Sequence, residues 1–209
     1  MKTLLNLENW SRKEHFHFFR QFEEPFFGAT VEIDCTKAYA KAKLSNTTFF
    51  IYYLHKTLAA VNATESFRYR ISEDQIYVYD QINASATISR ADGSFGFSLI
   101  EFNPDLAVFS ANVLTEIERI QTTTGLFTRT FPDDNLIHFS AIPWLDFTSL
   151  SHARSYTFPD SCPKISFGKM KIAENGKRTM PMSIHVHHGL VDGLHLGEFV
   201  DYFQKIMND

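Results

Sequence analysis

"MPMSIHVHHGLVDGLHLGEFVDYFQKIM", residues Met180–Met207, changes its hydrophobic period part-way along, and that change decides how the chain is read. Over Met180 to His188 the period is two. Met182, Ile184, Val186 and His188 share one face of a strand, and Ser183, His185 and His187 share the other. From Gly193 onward Leu196, Phe199, Val200, Phe203 and Ile206 fall on one helical stripe. A strand therefore runs into a helix through "HGLVDG". His188 ends the apolar row, Asp192 stands at the helix N-cap position, and Gly193 permits a tight reversal.

Working outward, "SRKEHFHFFRQF" (Ser11–Phe22) starts with a capping-type Ser and a Glu three residues on, and spaces Phe16, Phe19 and Phe22 for one helical face. "ATVEIDC" (Ala29–Cys35) alternates as a strand. "SNTTFFIYYLHKTLAAVNA" (Ser45–Ala63) reads as a buried helix with a Ser cap. "QIYVYD", "SATISR" and "GFSLIEF" read as strands of a meander, with "QINA" and "ADGS" as its turns. "DLAVFSANVLTEIERIQTT" is helical, whereas "LIHFSAI" and "KISFGKMKI" are strands. Helices mixed with mostly non-crossover strands predict an α+β fold, a mixed β-sheet flanked by helices. No repeat or linker divides the chain, so one domain spanning 1–209 is expected.

Twenty Lys and Arg against twenty-four Asp and Glu give a net charge of -4, which removes compositional support for a nucleic-acid partner. The opening "MKTLLNLENWSRKEHF" has too short an apolar run for a signal segment and no later stretch approaches a membrane span, so a soluble cytoplasmic protein is expected. Cys35 and Cys162 lie far apart and outside any CxxC pattern, and are expected to be buried, reduced and inert. Twenty-one Phe imply a Phe-rich core, a Phe-lined apolar pocket, or both.

The chemistry concentrates at His188. A histidine at a strand end in apolar surroundings is held neutral, as a general base near pH 7 requires; the same position also suits a core histidine satisfied by a carbonyl. His185 and His187 at i and i+2 could ligate zinc, but His188 points the other way and no HExxH or Cys-rich partner exists, so no metal is expected. Asp192 suits an N-cap, or a carboxylate paired with an Arg that fixes the turn.

"HHGLVDG" fits the HHxxxDG signature of chloramphenicol acetyltransferase and its relatives. Together with "NWSRKEHFHFFRQ", "FRYRISEDQIYVYD" and "FSAIPWLDFTS", it makes the whole chain resemble the type A chloramphenicol acetyltransferases. The resemblance implies an acetyl-CoA-dependent O-acetyltransferase, a homotrimer with active sites between subunits, and direct transfer in a ternary complex. It makes His188 the base, Ser140 the hydroxyl that stabilises the oxyanion, and Ser166 the position of a transition-state-binding Thr. Arg12 would pair with Asp192 as a structural salt bridge, and Lys169 would lie near coenzyme A. Phe18, Phe19, Phe27, Leu150 and His152 would line the acceptor pocket.

That pocket is where the chain departs from the family. Phe19 stands where well-studied members have Tyr, Leu150 and His152 stand for a Phe and a Leu, and Val191 replaces a Cys. Either Phe95 or Phe97 would supply the substrate-loop aromatic. Two other readings follow: a related acyltransferase with a different alcohol or amine acceptor, or a non-catalytic binding protein of the same fold.

Overall fold

A computed structural model describes residues 1–158 and 160–209. In chain order the elements are β1 (Lys2–Leu4), α1 (Lys13–Phe19), β2 (Phe26–Asp34), α2 (Thr36–Leu44), α3 (Phe49–Ala63), β3 (Tyr69–Ser72), β4 (Gln75–Tyr79) and β5 (Asn83–Ser89). There follow β6 (Phe95–Phe97), α4 (Leu106–Gln121), β7 (Leu136–Ala141), β8 (Lys164–Phe167), β9 (Lys171–Ile172), β10 (Arg178–His187) and α5 (Gly193–Asn208).

The main sheet runs β2-β10-β8-β7-β5-β6, with β9 also on β10; a small sheet runs β1-β4-β3. β10 is antiparallel to β2, β8 and β9, whereas β5, β7 and β8 are mutually parallel neighbours. The mixed, helix-flanked α+β sheet is as expected, but the preference for non-crossover strands is not. Parallel neighbours need a crossover, supplied between β5 and β7 by α4 and between β7 and β8 by residues 142–163. The meander is likewise corrected: β4 and β5 belong to different sheets, and Asn83 and Ala84 of "QINA" are strand residues.

α3 is apolar almost all round because it packs against α2, α4 and α5 while facing the sheet. Phe67 stacks on Phe199 at 4.3 Å, and Phe139, Phe167 and Tyr53 form a second aromatic group from the sheet side. Each buried aromatic or aliphatic side chain of this kind contributes ~1.5–3 kcal/mol. Met182, Ile184 and Val186 are fully buried on the helix side of β10. Its other face is not open to water: Ser183 and His187 are buried too.

Two cap assignments change. The N-cap of α1 is Arg12, with no side-chain cap bond, so Ser11 does not cap and Phe22 lies beyond the helix. Ser45 ends α2, a helix that sequence reading missed; Thr48 caps α3 by accepting from the Ile51 amide at 3.2 Å. Thr48→Ala is therefore expected to lower unfolding free energy by about 1 kcal/mol in urea titration. Ser45→Ala is expected to stay within about 0.5 kcal/mol of the parent. "KISFGKMKI" is two strands, β8 and β9. Both cysteines are buried free thiols, and burial together with Asp34 pushes Cys35 up to about 12.

Candidate active site

β10 stops at His187, one residue short of the expected end, and His188 opens the turn into α5. Its backbone is pinned on both sides. The amide donates to the Pro25 carbonyl at 2.8 Å, and the carbonyl accepts from the Arg12 guanidinium at 3.0 Å. Its ring stacks on Phe19 at 4.0 Å and lies 4.4 Å from Phe27, so apolar faces fix the imidazole plane. Nδ1 lies 3.3 Å from the Val191 carbonyl. A carbonyl only accepts, so Nδ1 donates, and in the neutral tautomer the lone pair is on Nε2.

Arg12 and Asp192 form the expected ion pair, between residues 180 positions apart. Asp192 also caps α5, accepting from the Leu194 and His195 amides at 3.0 and 3.3 Å, and lies 2.7 Å from His195 Nδ1. The two roles weighed for Asp192 therefore coexist. Burial acts to raise its carboxyl, but the His195 amide and Arg12 outweigh it and hold it below the usual carboxylate range. Gly193 is simply the first residue of α5: its backbone is not left-handed and a Cβ there would meet nothing, so the reversal does not depend on it. At Gly28, by contrast, a Cβ would come within 2.4 Å of the His185 ring, so a side chain there would require that ring to move.

Register places Ser140, Ser166 and Ser183 side by side across β7, β8 and β10. Directly opposed residues share a sheet face, so the three hydroxyls form a row on the side away from the helices. Ser166 is fully buried and its Oγ has no hydrogen-bond partner among the described residues. Ser140 lines a cavity of about 950 Å³ whose wall includes Phe97, Phe127 and Phe139. Of the two loop aromatics, Phe97 lines this cavity and Phe95, 45 % exposed, does not.

His152 lines the same cavity, packed edge to face on His185 at 4.9 Å. Leu150 is half-buried and does not line it. Phe18 is exposed and packs on Phe19 and Phe22 at 5.1 Å. Lys169 is exposed just past β8, its amide bonded to the Leu145 carbonyl at 2.7 Å.

Two groups of predicted residues therefore remain apart within one chain. His188 sits with Arg12, Asp192, Phe19 and Phe27, whereas Ser140 and His152 line the cavity. His188 is five residues beyond Ser183, just past the end of β10, and Ser140 is two strands across from Ser183. At about 3.3 Å per residue and 4.8 Å per strand, their Cα atoms are roughly 19 Å apart.

Sequence reading missed the polar residues beside Ser140 and Ser166. His138 and Lys164 lie two residues before them, hence on the same face, and both line the cavity. The period of two carried that signal, since it put a Lys in line with Ser166 in an otherwise apolar strand. Lys164 pairs with Asp160 and lies 3.1 Å from His138 Nδ1. Burial and, next, Lys164 push His138 down to about 4; burial, His185 and Lys164 do the same to His152. These imidazoles are neutral at physiological pH. Among the described residues no group of three or more His, Cys, Asp or Glu is placed to hold a metal ion, and no helix is long and apolar enough to cross a membrane.

The mixed sheet, whose antiparallel strand delivers a histidine into a turn locked by an Arg–Asp pair, has a fold found among solved acyltransferases. A solved dihydrolipoamide acetyltransferase from Azotobacter vinelandii shares that fold, with a TM-score of 0.68 at 11% identity over 94% of this chain and 86% of its own. Within the class, this chain belongs to the chloramphenicol acetyltransferase family, whose model matches residues 1–204. Chloramphenicol acetyltransferase 3 of Escherichia coli is 28% identical over 99% of this chain and 97% of its own. A solved chloramphenicol acetyltransferase superposes with a TM-score of 0.89 at 32% identity, covering 99% of this chain and all of its own. The chain is accordingly an acyltransferase enzyme.

Proposed function

We propose that this enzyme transfers the acetyl group of acetyl-CoA to a hydroxyl of chloramphenicol or a similar acceptor, and so inactivates the antibiotic in the cytoplasm. The observation that carries the reading is His188: a ring clamped between Phe19 and Phe27, with Nδ1 committed to the Val191 carbonyl and Nε2 left to accept a proton. As the acceptor oxygen attacks the thioester carbonyl carbon, Nε2 takes its proton. Ser140 donates to the oxyanion of the tetrahedral intermediate, and Ser166, in line with it, supports the same transition state through water. Collapse breaks the C–S bond, and the thiolate of coenzyme A recovers the proton from His188. No covalent acyl-enzyme is needed, and no metal takes part. Lys169, exposed and cationic, would meet a phosphate of coenzyme A.

The separation within one chain supports an active site shared between copies. Reacting groups must approach within about 3–3.5 Å, against the roughly 19 Å that divides His188 from Ser140. The whole chain, 1–209, acts as one domain of a homotrimer in which His188 of one subunit faces the cavity of its neighbour, with no nucleic-acid or membrane partner.

Thiol release from acetyl-CoA tests the reading directly. Release should depend on chloramphenicol, and Ser140→Ala should lower kcat on the order of 10²-fold with unchanged melting temperature. No release with chloramphenicol or any other hydroxyl acceptor would leave a non-catalytic binding protein.

A further inference from the structure

The floor of the cavity holds a charge that acetyl transfer does not use. Lys164 is 4% exposed, yet it lines the cavity beside Ser166, one strand from Ser140. A buried ammonium costs several kcal/mol unless it is paired, and Asp160 supplies the pairing. Lys164 has three N–H groups. Among the described residues Asp160 and His138 Nδ1 accept from it, so one N–H has no acceptor there, and the ammonium also lies 5.2 Å from the centre of the Phe26 ring. His152 adds an independent signal: its Nε2 is buried, has no hydrogen-bond partner among the described residues, and belongs to a ring that lines the same space.

We propose that Lys164 and His152 form a polar subsite that holds an uncharged hydrogen-bond-accepting group at the end of the acceptor remote from the reacting hydroxyl. The inference rests on the acceptor role of this cavity. Lys164 and Ser140 are one strand and two residues apart, so their Cα atoms are roughly 8 Å from each other. A reacting hydroxyl near Ser140 therefore puts the far end of a small aryl alcohol within reach of Lys164 in the same cavity. In chloramphenicol that far end is the aryl nitro group.

The charge balance selects an uncharged group. Asp160 already neutralises Lys164, while Glu73, Asp133 and Asp134 also line the cavity. An anion brought to the floor would leave net negative charge in a buried place, and a cation would meet the ammonium.

The test measures binding by calorimetry, without acetyl-CoA, of three probes: chloramphenicol, its analogue with hydrogen in place of the nitro group, and its analogue with a carboxylate there. The parent enzyme should bind chloramphenicol about 10- to 100-fold more tightly than either analogue, the range for a charge-assisted hydrogen bond. Lys164→Met alone strands the buried Asp160, so the informative variant is Lys164→Met with Asp160→Asn, which removes both charges. In that variant the nitro-to-hydrogen gap should shrink to within about threefold, while His152→Leu, with the ion pair intact, should narrow it part-way. An unchanged gap in the double variant at unchanged melting temperature overturns the subsite. So does equal binding of all three probes, or tightest binding of the carboxylate, in the parent. Turnover of chloramphenicol with no gap sinks the subsite alone. If the parent binds none of the probes and releases no thiol, the acceptor reading fails and the subsite with it.

Discussion

His188→Ala is expected to lower kcat by about 10²–10⁴-fold, the contribution of a positioned general base, while the protein still binds chloramphenicol. The ring is held by contacts that do not involve substrate: Phe19, Phe27 and the Val191 carbonyl set its plane and tautomer. Losing it removes the proton acceptor but leaves the cavity around Ser140 intact.

The same variant tests whether the site spans two subunits. His188→Ala and Ser140→Ala chains, each nearly inactive alone, should regain activity when unfolded together and reassembled. In a cyclic oligomer each site takes His188 from one copy and Ser140 from the next, so an equal mixture should recover about one quarter of parental activity. No recovery, with mixed oligomers demonstrated by mass, would place both residues in one chain's site and contradict the roughly 19 Å separation.

The second large effect is on stability, and it is asymmetric. Asp192→Ala should cost about 3–5 kcal/mol, because among the described residues it leaves the buried Arg12 guanidinium with only the His188 carbonyl. The same change removes the cap of α5, whose loss alone costs about 0.5–2 kcal/mol. Arg12→Ala should cost less, about 1–3 kcal/mol, because Asp192 is 33% exposed in its side chain against 8% for Arg12 and keeps the Leu194 and His195 amides. Urea unfolding of both variants decides the order; an equal or larger loss for Arg12→Ala would contradict it. Both should also lose activity, since Arg12 holds the His188 carbonyl.

The pH dependence follows in sign. The Asp192 carboxyl sits below its ordinary 3.8, so its contribution is complete above that value and is lost as pH falls through the depressed folded value. Asp192→Asn should therefore flatten the acid limb of the stability curve below about pH 4.

Much of the fold was legible because its longest elements carry strong periods. β10 and α5 announce themselves by alternation and by a helical stripe, and α4 by its helical spacing. α2 was not legible: in "TKAYAKAKL" only Ala38 and Ala42 are buried, and alanines between lysines make a weak stripe. The false cap at Ser45 followed from the same omission, since Ser45 belongs to the end of α2 and Thr48 to the start of α3.

At the site, local pattern placed His188 at a strand end and Asp192 at a helix start, both within a few residues of each other. The pairing of Arg12 with Asp192 came from family resemblance alone, because nothing local links residues 180 apart.

What the sequence determined by itself is the period of each segment, hence its secondary structure, its buried face and the strand-to-helix turn that carries His188. Only the tertiary structure decided sheet order, and with it the serine row, the burial of Lys164 beside Asp160, and the distance that keeps His188 from Ser140 within one chain. The physical reason is that periodicity is written in neighbours two to four residues away. Register between strands is chosen by packing and hydrogen bonding among segments that share no local signal.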